Sequence, residues 1–170
     1  METELAHEVK TGTKDKDKVE FYPFTEGDSD SLVIHCSDPR FQDAFYEFTR
    51  KELGLKRPAP IIIPGCTASF GVQGFMPKRW HALRSWIELM TEHNKFQRVV
   101  IINHDDCKGY SSIAKFIGGL TNIAMSQRKH LHDMAGYILK EYSPNARLEL
   151  YQARLVQNDD SRRVRFERVV

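Results

Sequence analysis

The sequence predicts an α/β protein: a single domain with a mostly parallel, doubly wound sheet flanked by helices and a C-terminal antiparallel hairpin at the sheet edge. Three observations predict it. Short runs rich in β-branched residues alternate with segments of helical periodicity. Two of those runs are apolar without alternation, as in strands covered on both faces. The last two runs follow each other with only a turn between them. At 170 residues the chain is long enough to build one such domain around a real core.

Residues 1–28 alternate charged and small polar residues, as in KTGTKDKDK, with one apolar island at Phe21, Tyr22 and Phe24. They read as an N-terminal arm or flexible tail, and residues 29–170 as the folded domain. SLVIHC, from Ser31, is the first strand. Phe41, Ala44, Phe45, Phe48 and Leu53 then recur at helical spacing and stop before Gly54, which predicts a helix. PIIIPG at 60–65 is the second strand. After a glycine-containing loop, Trp80, Leu83, Trp86, Ile87 and Met90 mark a helix by their apolar stripe. RVVIINH at 98–104 is the third strand, followed by a loop and a long helix carrying Ile123, Leu131, Met134 and Ile138. LELYQARL at 148–155 and the alternating VRFERV at 164–169 form a hairpin across NDDS. The chain has no internal repeat and no low-complexity tract.

With 41% hydrophobic and 28% charged residues, the composition is that of a globular protein, neither disordered nor membrane-embedded. The formal charge of +2 gives no whole-molecule attraction to nucleic acid or an anionic membrane, so neither is expected as a partner. No apolar run approaches the roughly 18 residues of a spanning helix, and the polar start METELAHEVK lacks a signal-peptide core. The expected address is the cytoplasm. Three widely spaced cysteines make a poor disulfide framework, and they suit thiolate ligands in a reducing compartment.

Cys36 ends the first strand, His104 ends the third, and Cys107 lies three residues further on. In doubly wound sheets the first and third strands are commonly neighbours, and ligands gather beyond their carboxyl ends. Two thiolates and one imidazole suit zinc, and three protein ligands leave a fourth position for water. Asp38 and Arg40 follow Cys36 in the same turn. An Asp paired with Arg stays ionised and can accept a hydrogen bond from metal-bound hydroxide; released from Arg, it could occupy the open position itself. Asp38 followed by Pro39 also reads as a helix cap, and the two roles can coexist.

Other residues have more than one reading. Cys66 is a buried small hydrophobe, a redox-sensitive neighbour of the metal, or a fourth ligand. His35 points away from Cys36 by strand alternation and reads as packing. His130 and His132, beside Arg128 and Lys129, read as a solvated basic helix face. Phe70, Phe75 and Tyr110 line a substrate pocket or pack in the core.

CSDPR at 36–40 and HDDC at 104–107 resemble the two motifs of β-carbonic anhydrases, Cys-x-Asp-x-Arg and His-x-x-Cys. The likeness covers about residues 30–155. It implies zinc on Cys36, His104 and Cys107, Asp38 and Arg40 as the catalytic pair, and zinc-bound hydroxide attacking carbon dioxide to give bicarbonate. It also implies a homodimer or higher homo-oligomer with an N-terminal arm embracing the neighbour. Two departures stand out: Lys108 precedes Gly109 where the family has glycine directly after the second cysteine, and PGCTASFGVQG replaces the family's usual segment after the second strand.

A tyrosine-phosphatase-like reading of HCSDPRF fails because the arginine does not fall six positions after the cysteine. There is no Cys-x-x-Cys for a thiol oxidoreductase and no glycine-rich turn for nucleotide phosphates. Two readings remain. One is a zinc lyase acting on carbon dioxide, or a relative hydrolysing carbonyl sulfide or carbon disulfide. The other is a non-catalytic protein of the same fold whose zinc site is closed by Asp38 or Cys66.

Overall fold

A computed structural model describes residues 24–117, 122–158 and 161–170. Five strands form one sheet: β1 (Ser31–Cys36), β2 (Pro58–Ile63), β3 (Arg98–His104), β4 (Arg147–Asn158) and β5 (Ser161–Arg168). Their order across the sheet is β2-β1-β3-β4-β5. The first four run parallel, and β5 pairs antiparallel with β4, from Tyr151↔Arg168 to Asn158↔Ser161. This is the predicted fold class, with the hairpin at the predicted edge.

Strand position explains strand composition. β1 is buried along its whole length, and so is β3 apart from Arg98, because both have neighbours on either side and helices above and below. The second run corrects the reading of a strand covered on both faces: β2 is an edge strand, so Ile61 and Ile63 are buried while Ile62 is exposed, and edge strand β5 is likewise largely uncovered. On one face Leu32, Ile34, Ile61, Val99 and Ile101 pack with Leu83, Ile87, Leu131, Met134 and Ile138. Those helical residues come from α3 (Pro77–His93) and α5 (Ile123–Glu141); the short α2 (Ala68–Gly71) and α4 (Lys108–Ile117) complete that layer. On the other face Val33, Val100, Ile102, Tyr151 and Ala153 pack with Phe41 and Phe45.

The segment carrying those two phenylalanines is one helix by sequence periodicity and three pieces in the structure. A 3-10 turn (Pro39–Phe41) leads into α1 (Gln42–Glu47), and a wide π turn (Phe48–Glu52) follows. The widening has a local cause. Thr49 Oγ1 donates back to the carbonyls of Phe45 and Tyr46, and Leu53 N–H then reaches Phe48 O, five residues back. Gly54, with φ +65°, stops the run.

Arg98 and Glu149 pin the amino ends of β3 and β4. Arg98 Nε donates to Glu149 Oε1 at 2.8 Å and its Nη1 to Leu53 O at 2.8 Å, while Tyr151 OH donates to Glu149 Oε2 at 3.1 Å. Of the N-terminal apolar island, Phe21 and Tyr22 lie outside the described residues, and Phe24 is 87% exposed. Among the described residues no helix is long and apolar enough to cross a membrane.

Candidate metal centre

Chain winding reverses between β1 and β3: β2 lies on one side of β1 and β3 on the other. The crevice beyond their carboxyl ends is where a ligand site is expected. His35 pairs with Ile102, so Cys36 and His104 end neighbouring strands within about two residues of each other. Asp106 then takes a left-handed conformation, φ +53°, and the chain turns back to present Cys107 at the start of α4. The Cys36 and Cys107 sulfurs and a ring nitrogen of His104 thereby come within 4.8 Å of one another, all three residues buried. The three residues singled out from sequence meet at one point.

Their chemistry fits a metal ion. His104 Nδ1 faces the Asp105 carbonyl at 2.7 Å; a carbonyl only accepts, so Nδ1 carries the proton and Nε2 a free lone pair. That Nε2 is the one buried side-chain nitrogen or oxygen among the described residues without a hydrogen-bond partner. A buried acceptor left empty is costly unless something fills it. The two sulfurs stand 3.8 Å apart. A disulfide would need about 2.05 Å, whereas two zinc–sulfur bonds of about 2.3 Å at the tetrahedral angle separate the sulfurs by about 3.8 Å. Either thiol can donate to the other, and the contact lowers the pKa of Cys36 while raising that of Cys107; Gly65 N–H gives Cys36 Sγ a further bond at 3.3 Å. The pair shares its proton readily, and an arriving cation would displace the thiol protons.

Asp38 both caps and pairs. Its Oδ1 accepts from Arg40 N at 3.0 Å, with Pro39 opening the 3-10 turn. Arg40 Nε and Nη2 also donate to the carboxylate, at 3.0 Å to Oδ1 and 2.6 Å to Oδ2. Arg40 holds the Asp38 carboxyl down at about 2, so it is ionised at any ordinary pH. The other side of the guanidinium meets Asp106, with Nη1 2.8 Å from Oδ2 and Nη2 3.1 Å from the backbone carbonyl. Gln42 Nε2 ties the same turn down by donating to Cys36 O and Asp38 O.

A cleft of about 300 Å³ opens at this point, lined by Cys36, Asp38, Arg40, Pro64, Lys108 and Gly109 among others. Gly109 packs against the Pro64–Gly65 backbone. The close approach thus falls one residue after the position that follows Cys107, and Lys108 occupies the exposed rim.

Neither proposed closing residue joins the metal-ligating group among the described residues. Asp38 is engaged by Arg40. Cys66 is buried, its thiol faces the Ile34 carbonyl at 3.7 Å, and burial pushes its pKa up. His35 packs against Phe45 on the opposite face of the sheet, ring centroids 4.6 Å apart, as strand alternation predicts. Tyr110 is core; Phe70 packs on Trp80 and Tyr137; Phe75 is 68% exposed and lines no part of the cleft. His132 is exposed, as read from sequence. His130 corrects that reading: it is buried, bonded to Tyr110 OH and covered by Gly71, where a Cβ would fall 2.0 Å from the ring. Its place in the buried stripe of α5, with Gln127, Leu131 and Met134, was visible in the spacing. Asp106 and Gln42 were not singled out from sequence. HDDC shows two acids between the ligands, but nothing local says which of them reaches Arg40.

No family model matches the chain, and no curated protein matches it. Among solved structures the chain is similar to the crystal structure of β-carbonic anhydrase isoform I from the protozoan Trichomonas vaginalis, at 13% identity and a TM-score of 0.47, covering 86% of this chain and 87% of that one.

Proposed function

We propose that this chain is a zinc-dependent carbonic anhydrase of the β class, with Cys36, His104 and Cys107 as metal ligands and Asp38 and Arg40 as the catalytic pair. One observation carries the reading: the unpartnered Nε2 of His104 beside two sulfurs at tetrahedral zinc–thiolate spacing. The paired motifs CSDPR and HDDC support the same assignment.

Zinc, when bound, supplies Lewis-acid chemistry and a more acidic water. The chain's own residues supply the rest. Two thiolates neutralise a divalent charge, which weakens that acidification and leaves more work to neighbouring groups. Asp38, kept ionised by Arg40, receives three N–H donors through four contacts, and its carboxylate lines the cleft, where it would orient a water or hydroxide. Arg40 fixes that carboxylate and places positive charge at the mouth, where an anionic product leaves. Buried sulfurs and the His104 ring exclude bulk water from the inner wall.

The test is stopped-flow carbon dioxide hydration with a pH indicator on protein of known zinc content, run alongside carbonyl sulfide and carbon disulfide hydrolysis. About one zinc per chain and a rate well above buffer are expected. Metal-loaded protein with no rate from mildly acidic to alkaline pH would remove the proposal.

We also propose a cytoplasmic homodimer or higher homo-oligomer, with residues 1–28 as an arm onto the neighbour. Exposed Phe75, Trp86 and Leu89 support a covered surface, and three free cysteines suit a reducing compartment. Light scattering after gel filtration should give at least twice the chain mass; a monomer at micromolar concentration would count against assembly.

A further inference from the structure

We propose that Asp106 is a positioning residue: it grips Arg40 from the side opposite Asp38 and so locks the Asp38–Arg40 pair to the loop that carries His104 and Cys107. The inference rests on the reading above for its catalytic consequence, and on geometry alone for the grip.

Packing does not hold Arg40. Its side chain is 44% exposed, and among the described residues the ring over which its guanidinium carbon lies is that of Phe41, at 5.9 Å. Hydrogen bonds must therefore set its orientation. Asp38 takes Nε and Nη2 along one edge of the fork, which alone would leave the guanidinium free to swing about that edge. Asp106 takes Nη1 with its carboxylate and Nη2 with its carbonyl. Two acceptors on one residue, opposed to two on another, fix a rigid planar group.

The backbone of Asp106 points the same way. Its φ of +53° lies in the left-handed region, which glycine adopts freely and an L-residue only at a cost. Aspartate tolerates it better than most residues. At that position the Asp106 carboxylate reaches Arg40 Nη1 at 2.8 Å, so the conformation places the acid where it is used. An exposed ion pair contributes little stability, so the use lies in orientation. Asp106 also stands directly before Cys107 and two residues after His104. Through Arg40 it joins the turn after β1 to the turn after β3, 66 residues apart in sequence. A guanidinium that swung free would no longer hold Asp38 in one place relative to the metal ligands.

The experiment follows the Arg40 Nε–H resonance in ¹⁵N-labelled protein, identified by its loss in Arg40→Lys. It should be sharp in the wild type and in Asp106→Asn, which keeps an oxygen for Nη1, and broadened or shifted in Asp106→Gly. Asp106→Gly relieves the left-handed strain, so it should melt no lower than the wild type, hold as much zinc, and lose about 10- to 100-fold in kcat with an unchanged KM. A residue with only a structural role would not separate activity from stability in this way. An Arg40 resonance in Asp106→Gly superimposable on that of the wild type overturns the proposal, whatever the rates. Should that variant not fold, Asp106→Ser, too short to reach Nη1, decides the question by the same resonance. A wild type that hydrates no carbon dioxide fails the reading above, and the resonance still decides the role of Asp106.

Discussion

Gly109 lies against Gly65 so closely that a Cβ on Gly109 would sit 2.7 Å from the Gly65 amide nitrogen and 3.0 Å from its Cα. These are backbone atoms and cannot rotate out of the way. Gly65 itself has φ +82° and donates its N–H to Cys36 Sγ, so the contact reaches a sulfur of the metal-ligating group. Gly109→Ala should therefore push two loops apart. We expect a loss of about 1–3 kcal/mol, a fall in Tm of about 2–4 °C per kcal/mol for a chain of this size, and weaker zinc retention. Calorimetry and metal analysis check it; an alanine variant with wild-type Tm would show that the loops yield freely.

Removal of any one donor should empty the site. Cys107→Ser and His104→Ala are expected to drop zinc from about one per chain to a small fraction after gel filtration, and the wild type should melt at a lower temperature once a strong chelator has stripped it. Binding that favours the folded state stabilises it by about 4 kcal/mol at a thousandfold excess over Kd. A Cys107→Ser protein with full zinc content would sink the ligand assignment.

Arg40→Ala should separate metal binding from catalysis. Without the guanidinium the Asp38 carboxyl climbs from about 2 back toward its ordinary 3.8, and it loses its fixed orientation. Zinc content should stay near that of the wild type while kcat falls by roughly 100-fold, with a similar loss in Asp38→Asn. Stopped-flow rates at matched zinc content make the comparison. Undiminished kcat in both variants would dismiss the pair from the mechanism.

Acid sensitivity should trace partly to Glu149. Burial pushes its pKa up, but the hydrogen bond and charge of Arg98, with smaller help from Tyr151 and Arg147, outweigh that and hold it below the ordinary 4.5. A carboxyl depressed in the folded state contributes stability above its unfolded pKa and loses it as pH falls through the folded value. Wild-type stability should thus decline below about pH 4.5, and Glu149→Gln should be less stable at pH 7 but flatter in that acid range. Arg98→Ala leaves Glu149, whose side chain is only 3% exposed, with Tyr151 OH and Arg147 alone, and should cost about 3 kcal/mol at pH 7. Urea titrations at several pH values measure both; parallel slopes for wild type and Glu149→Gln would acquit the residue.

Much of this was legible in the chain because burial leaves its mark on composition. PIIIPG and RVVIINH read as strands covered on both faces because they are apolar without alternation; RVVIINH is central, whereas PIIIPG forms the edge strand β2, where Ile62 is 47% exposed. The expected adjacency of the first and third strands brought Cys36 to His104. Features that depend on pairs far apart in sequence stayed hidden. Neither Arg40 with Asp106 nor Gly65 with Gly109 announces itself locally. His130 was misplaced because its charged neighbours outweighed its position in the α5 stripe, and the single helix expected over 41–53 gave way to Thr49, whose hydroxyl competes for backbone carbonyls.

The sheet order also sets a timetable. β1 is the earliest strand of the sheet to be made, yet its two lateral partners, β2 and β3, both follow it, so its apolar length must wait bare during synthesis. Until residue 107 has emerged, the thiol of Cys36 lacks the sulfur that completes the metal-ligating group. The site is therefore among the last features to form: it cannot close before the third strand and the loop after it have joined the first.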